Sequence, residues 1–321
     1  MGTDPFGFSP WADAHVGVKQ GLTPEGSDPD GSRRSVSVGT DPSGVSPWSG
    51  ARVALATCAE LPDGDDDFPP LIAALAARGV ESDAAVWDDP AVDWSRYDLV
   101  LPRSTWDYAE RRDEFLAWAA SLPRVLNPLD VLEWNTDKQR YLTELATAGV
   151  PVVPTTFVAP GDELRPPDDA FVVKPSISAG GRSSAQFDAH ELEAARALVA
   201  RIHAEHRTAM VQPYLGDRDE KALVYLDGEY SHAVRRRVPL PAADDREVFY
   251  LDEDIGPAEA TAAEREIAEA ALACAAAPLL YGRVDLMGEQ VLELEVAEPS
   301  LYLTFGAGAA KRFAGAISHR L

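Results

Sequence analysis

The stretch Arg283-Val-Asp-Leu-Met-Gly-Glu-Gln-Val-Leu-Glu-Leu-Glu-Val-Ala-Glu-Pro299 decides how the rest of the chain is interpreted. From Val291 to Val296 the residues alternate as in a β-strand with two different faces. One face is predicted to hold Leu292, Leu294 and Val296, and the other Val291, Glu293 and Glu295. A shorter strand over residues 283–287 comes before it, and Gly288 between the two predicts a tight hairpin.

The length of the hairpin loop decides on which face Asp285 lies. A three-residue loop over 288–290 places Asp285 directly opposite Glu293, whereas a two-residue loop places it on the other face. In the first register Asp285, Glu293 and Glu295 form a patch of carboxylates that oppose one another's ionisation unless a cation lies among them. Oxygen ligands without a nearby histidine or cysteine suit Mg²⁺, which also takes substrate phosphates. The alternative is a solvated face of an antiparallel strand.

Composition excludes several classes of partner. The 321 residues include 53 acidic and 29 basic side chains, a net charge of −24, so nucleic acid and anionic membrane surfaces would repel the chain. The two cysteines provide neither a disulfide framework nor a cysteine-based metal site. No apolar run reaches membrane-spanning length and the N-terminus lacks the apolar core of a signal peptide, so we expect a cytoplasmic protein.

Residues 1–50 differ from the rest of the chain. They are rich in glycine, serine, proline and aspartate, which predicts a disordered or low-complexity tail. A 12-residue segment, Gly2–Asp13, recurs as Gly39–Gly50. We interpret it as a duplicated tail or an upstream start, with a partner-docking or self-modified peptide as the alternative.

Residues 51–135 are predicted to form an N-terminal α/β domain. Strands over 53–57, 84–87 and 98–101 alternate with a helix over 68–78, which indicates a parallel sheet. A polar and aromatic cluster follows the last strand, where open α/β sheets bind ligands. The candidate substrate residues are therefore Arg103, Ser104, Trp106, Asp107 and Tyr108. Arg103 can pair with a substrate carboxylate through two hydrogen bonds, and the alternative for Trp106 and Tyr108 is simple packing.

Residues 136–321 carry two lysines in unusual settings. Lys138 lies in the first turn of a helix over 137–148, which we expect Asn135 or Thr136 to cap; a cation is unfavourable there, so it points to a ligand. Lys174 stands alone among apolar residues in a strand over 171–175. The loop 176–184 follows, in which glycines let backbone N–H groups approach phosphate oxygens, although a surface hairpin is the alternative.

The remaining elements complete the prediction. A strand over 210–215 contains Pro213, which implies an edge or crossing strand. Strands over 222–226 and 230–238 form a hairpin, and Arg235 and Arg237 share one face of the second. Helices are expected over 257–277 and 307–319.

From about Lys138 to its end the chain resembles the ATP-grasp ligases, and it is most similar to their glutathione-synthetase-like branch, which includes the cyclo-ligases that close O-ureido-D-serine into D-cycloserine. The motifs that carry this resemblance are Trp134-Asn-Thr-Asp-Lys138, Val173-Lys-Pro175 with its glycine loop, Val211-Gln-Pro-Tyr-Leu215, Ser231-His-Ala-Val-Arg235, Asp285 with Glu293-Leu-Glu295, and Glu298-Pro-Ser300. The resemblance implies an α/β protein, with the N-terminal parallel unit followed by an ATP-grasp domain of antiparallel sheets over 136–321, in subdomains of about 136–215 and 216–321.

The resemblance also implies roles for individual residues. ATP would be bound by Lys138, Lys174, Ser178, Gly180, Gly181, Gln212, Pro213, Tyr214 and Glu220, with Asp219 a weaker candidate than Glu220 for the ribose. Magnesium, as two ions for which Mn²⁺ can substitute, would be held by Asp285, Glu293 and Glu295. Glu295 stands where much of the family has asparagine, which puts the second ion's ligands in doubt. The arginine on the γ-phosphate would be Arg235 or Arg237, with Arg235 favoured.

The implied reaction is the ATP-dependent activation of a carboxylate as an acylphosphate, which an amine or a heteroatom of the same molecule then attacks. A small amino-acid-like substrate is expected, and a homodimer and a homotetramer both stay open. Three other hypotheses are a ligase that modifies a peptide, an ATP-binding regulatory protein without turnover, and a kinase that stops at phosphate transfer. His232 is either a general base or a structural residue.

Overall fold

Three β-sheets organise the chain in the computed structural model, which describes residues 46–216, 219–237 and 254–321. The predicted tail lies outside the described residues up to residue 45, as does Val238 at the end of a predicted strand. Within the described ranges no helix is both long enough and apolar enough to cross a membrane. The predicted domain boundaries at 135/136 and 215/216 stay predictions.

The first sheet is parallel and confirms the α/β unit predicted for the N-terminal part of the chain. Its strands are β1 (Arg52–Thr57), β2 (Glu81–Val86) and β3 (Leu99–Ser104), in the order β2-β1-β3. The helices around it are α1 (Phe68–Ala76) and α2 (Arg112–Ser121). Short 3₁₀ helices cover Trp94–Arg96 and Trp106–Glu110. Because β3 continues to Ser104, two of the candidate substrate residues lie within the strand rather than after it.

The second sheet is antiparallel and carries Lys174. Its strands are β4 (Thr156–Val158), β5 (Phe171–Pro175), β6 (Ala185–Phe187) and β7 (Ala209–Pro213), in the order β4-β7-β5-β6, and helix α5 (Leu192–Ala204) packs on it. The sequence predicted an edge or crossing strand at Pro213; β7 as a whole is not an edge strand, since it lies between β4 and β5, but Pro213 itself has only β5 beside it. The proline is tolerated because β4 pairs only as far as Val211, so Pro213 lies beyond the end of that ladder.

The third sheet is also antiparallel, with the order β10-β9-β8-β11-β12. Its strands are β8 (Glu220–Leu226), β9 (Glu229–Arg237), β10 (Asp254–Ala258), β11 (Tyr281–Met287) and β12 (Gln290–Glu295). The helices of this part of the chain are α3 (Leu129–Asn135), α4 (Lys138–Thr147), α6 (Ala262–Leu272) and α7 (Ala309–His319). The helix predicted from residue 257 begins later, because Thr261 and Glu264 form a capping box.

The β11–β12 hairpin has the expected pairing of Asp285 with Glu293, but its loop differs from the prediction. Its loop has two residues, since Met287 pairs with Gln290, so the predicted three-residue loop is wrong. Asp285 nevertheless lies opposite Glu293, because a bulge leaves Leu292 without a partner and shifts the register by one residue. The bulge also places Val291 in the core with Leu294 and Val296, rather than on the face predicted for it.

Candidate active site

Three carboxylates from the β11–β12 hairpin meet at the centre of the site. Asp285, Glu293 and Glu295 each place an oxygen atom within 4.8 Å of the other two. The Asp285 side chain is 1% exposed, whereas those of Glu293 and Glu295 are 22% and 25% exposed. The set contains only oxygen donors, which suits Mg²⁺. Glu293 and Glu295 are thus the more accessible members of the set.

Two buried arginines surround Asp285. Arg283 donates from Nε and a terminal nitrogen to the two oxygens of Asp285 at 2.8 and 2.9 Å, and from the same terminal nitrogen to Glu295 at 2.7 Å. Arg236 donates to Asp285 at 2.6 Å and to Glu220 at 2.8 Å. Although burial disfavours its charge, Asp285 and Glu295 hold the pKa of Arg283 well above its usual range. The carboxylates therefore stay close together because cations lie between them.

The two candidate lysines lie beside Glu293. Lys138 Nζ is 3.0 Å from Glu293 Oε1 and donates to the carbonyl oxygen of Ser178 at 2.6 Å. Burial opposes the ionisation of Glu293, but Lys138 and Lys174 outweigh it and lower the pKa of Glu293 to about 2. Burial lowers the pKa of Lys174 itself, and the charge of Glu293 only partly offsets that effect. An additional anion such as a phosphate would favour the protonated form of Lys174.

The glycine loop lies between the lysines and the N-terminal unit. Gly180 and Gly181 have φ angles of +63° and +73°, the left-handed region that glycine adopts without strain. Ser178 Oγ contacts the carbonyl oxygen of Pro175 at 3.3 Å. Arg182 forms an ion pair with Glu110 of the N-terminal unit. Ile177 and Ala179 pack against the same apolar cluster as Tyr108.

The predicted adenine and ribose contacts have protein partners of their own. Gln212 Nε2 donates to Thr155 Oγ1 at 2.9 Å, and the backbone N–H of Tyr214 donates to the carbonyl oxygen of Ala170 at 2.8 Å. Pro213 pairs with Phe171 at the end of β5. Glu220 is bound to Arg236, whereas Asp219 pairs with Arg237 at the surface. The Tyr214 N–H, a candidate donor to the adenine, is thus engaged within the protein.

The structure favours a different arginine from the two that the sequence predicted. Arg235 pairs with Asp254 at 3.0 Å and Arg237 with Asp219 at 2.7 Å, and both arginines lie away from the carboxylates. Arg236 points the opposite way and reaches Asp285, because successive side chains of a strand alternate between its faces. On this placement we favour Arg236 over Arg235 and Arg237 as the candidate for the γ-phosphate.

The candidate substrate residues separate into two groups. Arg103 is fully buried, stacks on the ring of Tyr281 and donates to the carbonyl oxygen of Pro299 at 2.6 Å, so it joins the N-terminal unit to the segment after Glu298. Ser104 bonds to Thr57 at 2.8 Å, and Asp107 accepts from Trp87 at 2.8 Å and pairs with Arg111.

Trp106 and Tyr108 lie nearer to the acidic cluster. The indole nitrogen of Trp106 donates to the main-chain oxygen of Glu298 at 3.2 Å. Burial, and then the charges of Glu298, Glu295 and Glu293, raise the pKa of Tyr108 well above its usual value. Of the five candidate substrate residues, we therefore keep Trp106 and Tyr108 as the two most suited to contact a ligand.

Two buried asparagines hold the site in ways that sequence reasoning missed. Asn135 donates to the carbonyl oxygen of Leu294 at 2.8 Å and accepts from the N–H of Val296 at 2.7 Å. Asp137, rather than Asn135 or Thr136, caps α4 by accepting from Gln139 at 3.0 Å. Asn127 contacts the backbone on both sides of the hairpin, with the carbonyl oxygens of Tyr281 and Val296 at 2.9 and 2.6 Å. The sequence marked Asn135 only as part of a motif and as a cap candidate, and its sole signal for Asn127 was an asparagine between Leu126 and Pro128.

His232 is held as a structural residue. Its Nε2 lies 3.0 Å and 3.1 Å from the carbonyl oxygens of Leu301 and Tyr302, and its Nδ1 lies 2.9 Å from Ser231 Oγ. Burial lowers its pKa. Both ring nitrogens have partners within the protein, which favours the structural interpretation over a general base.

Comparison with known proteins gives a consistent result. Residues 53–127 match the family model of the N-terminal domain of D-cycloserine synthetase DcsG, and residues 152–304 match that of the ATP-grasp domain of prokaryotic glutathione synthetase. The cycloserine biosynthesis protein DcsG of Streptomyces lavendulae is 38% identical, over 84% of this chain and 98% of the relative.

Solved structures extend the similarity to the fold. The crystal structure of D-cycloserine synthetase DcsG matches with a TM-score of 0.74 at 37% identity, covering 84% of this chain and 99% of that one. D-alanine–D-alanine ligase from Bacillus anthracis matches with a TM-score of 0.58 at 14% identity, covering 84% and 98%. At that identity the second likeness concerns the fold alone.

Proposed function

Since this chain belongs to the D-cycloserine synthetase family of ATP-grasp ligases, we propose that it closes O-ureido-D-serine into D-cycloserine at the expense of ATP. The observation that carries this proposal is the convergence of Lys138, Lys174 and Arg236 on the carboxylates of Asp285 and Glu293. Such a mixture of cations and oxygen donors is what the transfer of a phosphoryl group requires.

The residues of the chain fit a bound magnesium ion. Asp285, Glu293 and Glu295 supply hard oxygen ligands at close spacing, and two of them are partly open. Magnesium bound there would neutralise the charge of the ATP phosphates during transfer. We propose two ions, with Mn²⁺ able to replace Mg²⁺. The need for ATP favours a cytoplasmic protein.

In the first step, phosphoryl transfer from ATP to the substrate carboxylate, the side chains of the site have separate roles. Lys138 and Lys174 hold the phosphate oxygens, and Arg236 supplies positive charge where negative charge develops on the transferring group. The substrate carboxylate attacks the γ-phosphorus, which gives an acylphosphate and ADP. Because the substrate carboxylate is itself the nucleophile, the reaction requires no Ser–His–Asp or Cys–His arrangement from the protein.

The glycine loop and the N-terminal unit would protect the second step. Ile177 and Ala179 pack against the apolar cluster that contains Tyr108, and the Arg182–Glu110 ion pair joins the loop to the 3₁₀ helix. A loop held in this position excludes water, which would otherwise hydrolyse the acylphosphate. The nitrogen bonded to oxygen in the same substrate molecule then attacks the acyl carbon, displaces phosphate and closes the ring. Hydrolysis of the remaining carbamoyl group by water releases CO₂ and ammonia and leaves D-cycloserine.

The test is an assay of the full-length chain with ATP, Mg²⁺ and O-ureido-D-serine, in which ADP, phosphate and D-cycloserine are quantified. We expect all three to form, and Glu293→Gln to abolish turnover while Glu289→Gln, in the exposed hairpin turn, leaves it unchanged. ADP release without D-cycloserine would refute the cyclisation. A stable phosphorylated product would indicate a kinase, and turnover only with added peptide would indicate a peptide ligase.

A further inference from the structure

Glu298 is a buried carboxylate beside the site that lacks a cation. It is 7% exposed. The neighbouring carboxylates of Asp285, Glu293, Glu295 and Glu220 each have a lysine or arginine nitrogen within 3.0 Å. In the described ranges no lysine, arginine or histidine nitrogen lies within 4.0 Å of the Glu298 carboxylate, and its side chain makes no hydrogen bond there. Burial and the charge of Glu295 raise the pKa of Glu298 to about 8.

The position of Glu298 separates it from the metal-binding set. The three carboxylates whose oxygens lie within 4.8 Å of one another are Asp285, Glu293 and Glu295, and Glu298 is not among them. Its backbone is fixed from the N-terminal unit, because Trp106 donates to its carbonyl oxygen at 3.2 Å and Arg103 to that of Pro299 at 2.6 Å. The structure thus holds a second acidic position next to the first at a defined place.

A phenol group completes the surroundings of Glu298. Tyr108 is 4% exposed, and among nearby charges Glu298 contributes most to its raised pKa. A buried carboxylate without a partner is unfavourable and points to a ligand that supplies one. A carboxylate and a phenol oxygen together accept hydrogen bonds from a cationic group with several N–H donors.

We propose that Glu298, assisted by Tyr108, binds the protonated amino group of an amino-acid substrate; the inference rests on the proposed function and specifies the substrate as an α-amino acid. An ammonium group provides the cation that a buried carboxylate needs, with three donors for the surrounding oxygens. In such a substrate the ammonium group and the reacting carboxylate are attached to the same carbon atom. Holding the ammonium at Glu298 therefore orients the carboxylate towards the cluster of Lys138 and Lys174.

The experiment compares O-ureido-D-serine with the same molecule lacking its amino group, 3-(ureidooxy)propanoate. The wild-type chain is expected to prefer the aminated substrate by about 30-fold or more in kcat/KM, the effect of removing one partner of a buried charged hydrogen bond. In Glu298→Gln the preference is expected to fall to a few-fold, through a higher KM for O-ureido-D-serine. The KM for ATP and the Mg²⁺ requirement are expected to stay unchanged. Tyr108→Phe should reduce the preference less, and Glu289→Gln should not reduce it.

Other outcomes overturn either the inference or the proposed function. Equal losses for both substrates in Glu298→Gln would mean that Glu298 only supports the fold. A raised Mg²⁺ requirement would make it a metal ligand. Absence of turnover in the wild type would refute the proposed function instead. Amine recognition is then measured by calorimetry with Mg²⁺ and a non-hydrolysable ATP analogue, using D-amino acids and their deaminated counterparts. A wild type that binds both equally would overturn the inference by itself.

Discussion

Replacement of Arg236 by methionine tests the arrangement of the site most directly. Arg236 makes charged hydrogen bonds of 2.6 Å to Asp285 and 2.8 Å to Glu220. Asp285 keeps Arg283 in the variant, but Glu220, whose side chain is only 13% exposed, loses its ion-pair partner. Removing one member of a buried ion pair costs about 3–5 kcal/mol. Because domains are stable by only about 5–15 kcal/mol, urea denaturation should show a clear fall in the midpoint.

The same change should also reduce catalysis. Arg236 reaches the carboxylate cluster where the ATP phosphates are proposed to lie, so its loss removes positive charge from the transferring group. Removing one such donor costs about 10²- to 10³-fold in kcat. The matched control is Arg235→Met, on the same strand, whose exposed guanidinium pairs with Asp254 on the other face. The control should retain the stability, the kcat and the KM for ATP of the wild type.

Two results would refute this reasoning. If Arg235→Met lost activity while Arg236→Met kept it, the strand would present the opposite face to ATP. If Arg236→Met lost activity but kept the stability of the wild type, Arg236 would not be the cation that compensates Glu220 and Asp285. Initial rates at saturating ATP, measured beside urea denaturation curves on the same preparations, distinguish the two outcomes.

Three further predictions concern other parts of the molecule. Glu293→Gln should raise the Mg²⁺ concentration for half-maximal ATP binding by about tenfold or more, measured by calorimetry, since it removes one charged ligand. Glu110→Gln should raise the KM for ATP by about two- to fivefold in steady-state kinetics, because the Arg182 ion pair is partly exposed and therefore weak, whereas Asp113→Asn should have no effect. Burial and the neighbouring Asp67 raise the pKa of Asp65 to about 8, above its unfolded value, so its contribution to stability is lost as pH rises from about 4 to 8. Asp65→Asn should therefore gain stability relative to the wild type between pH 5 and pH 8 in urea denaturation, and Asp63→Asn should not.

Much of the site could be predicted from local patterns. Alternation along β12 identified Glu293 and Glu295 as neighbours on one face, and the pairing of Asp285 with Glu293 was confirmed. Lys138 and Lys174 stood out because each occupies a position that is unfavourable for a cation. These signals are local, since the period of the strand and the dipole of the helix act within a few residues.

The errors occurred where tertiary packing decides between local alternatives. The bulge at Leu292 exists because Val291 is buried in the core, and no property of the hairpin sequence states that. Asn135, Thr136 and Asp137 are all good cap residues. The side chain of Asn135 is not free to cap the helix, because it bonds to the backbone of Leu294 and Val296, 159 and 161 residues away in the sequence. The choice among Arg235, Arg236 and Arg237 likewise depends on which face of β9 lies on the same side of the sheet as Asp285 of β11. A bulge between β8 and β9 makes that face hard to assign from strand alternation.

The acidic centre is held in place by backbone contacts that come from outside the hairpin. Carboxylates at close spacing repel one another, so cations alone would fix their charge but not their positions. Asn135 fixes the backbone between Glu293 and Glu298, and Asp67 accepts from the N–H groups of Leu301 and Leu303 at 2.6 and 2.7 Å just beyond it. Each residue satisfies buried backbone groups that would otherwise lack partners. The N-terminal unit, through Asp67, Arg103 and Trp106, thus fixes the backbone from Glu298 to Leu303, which follows directly on the proposed metal ligands of β12.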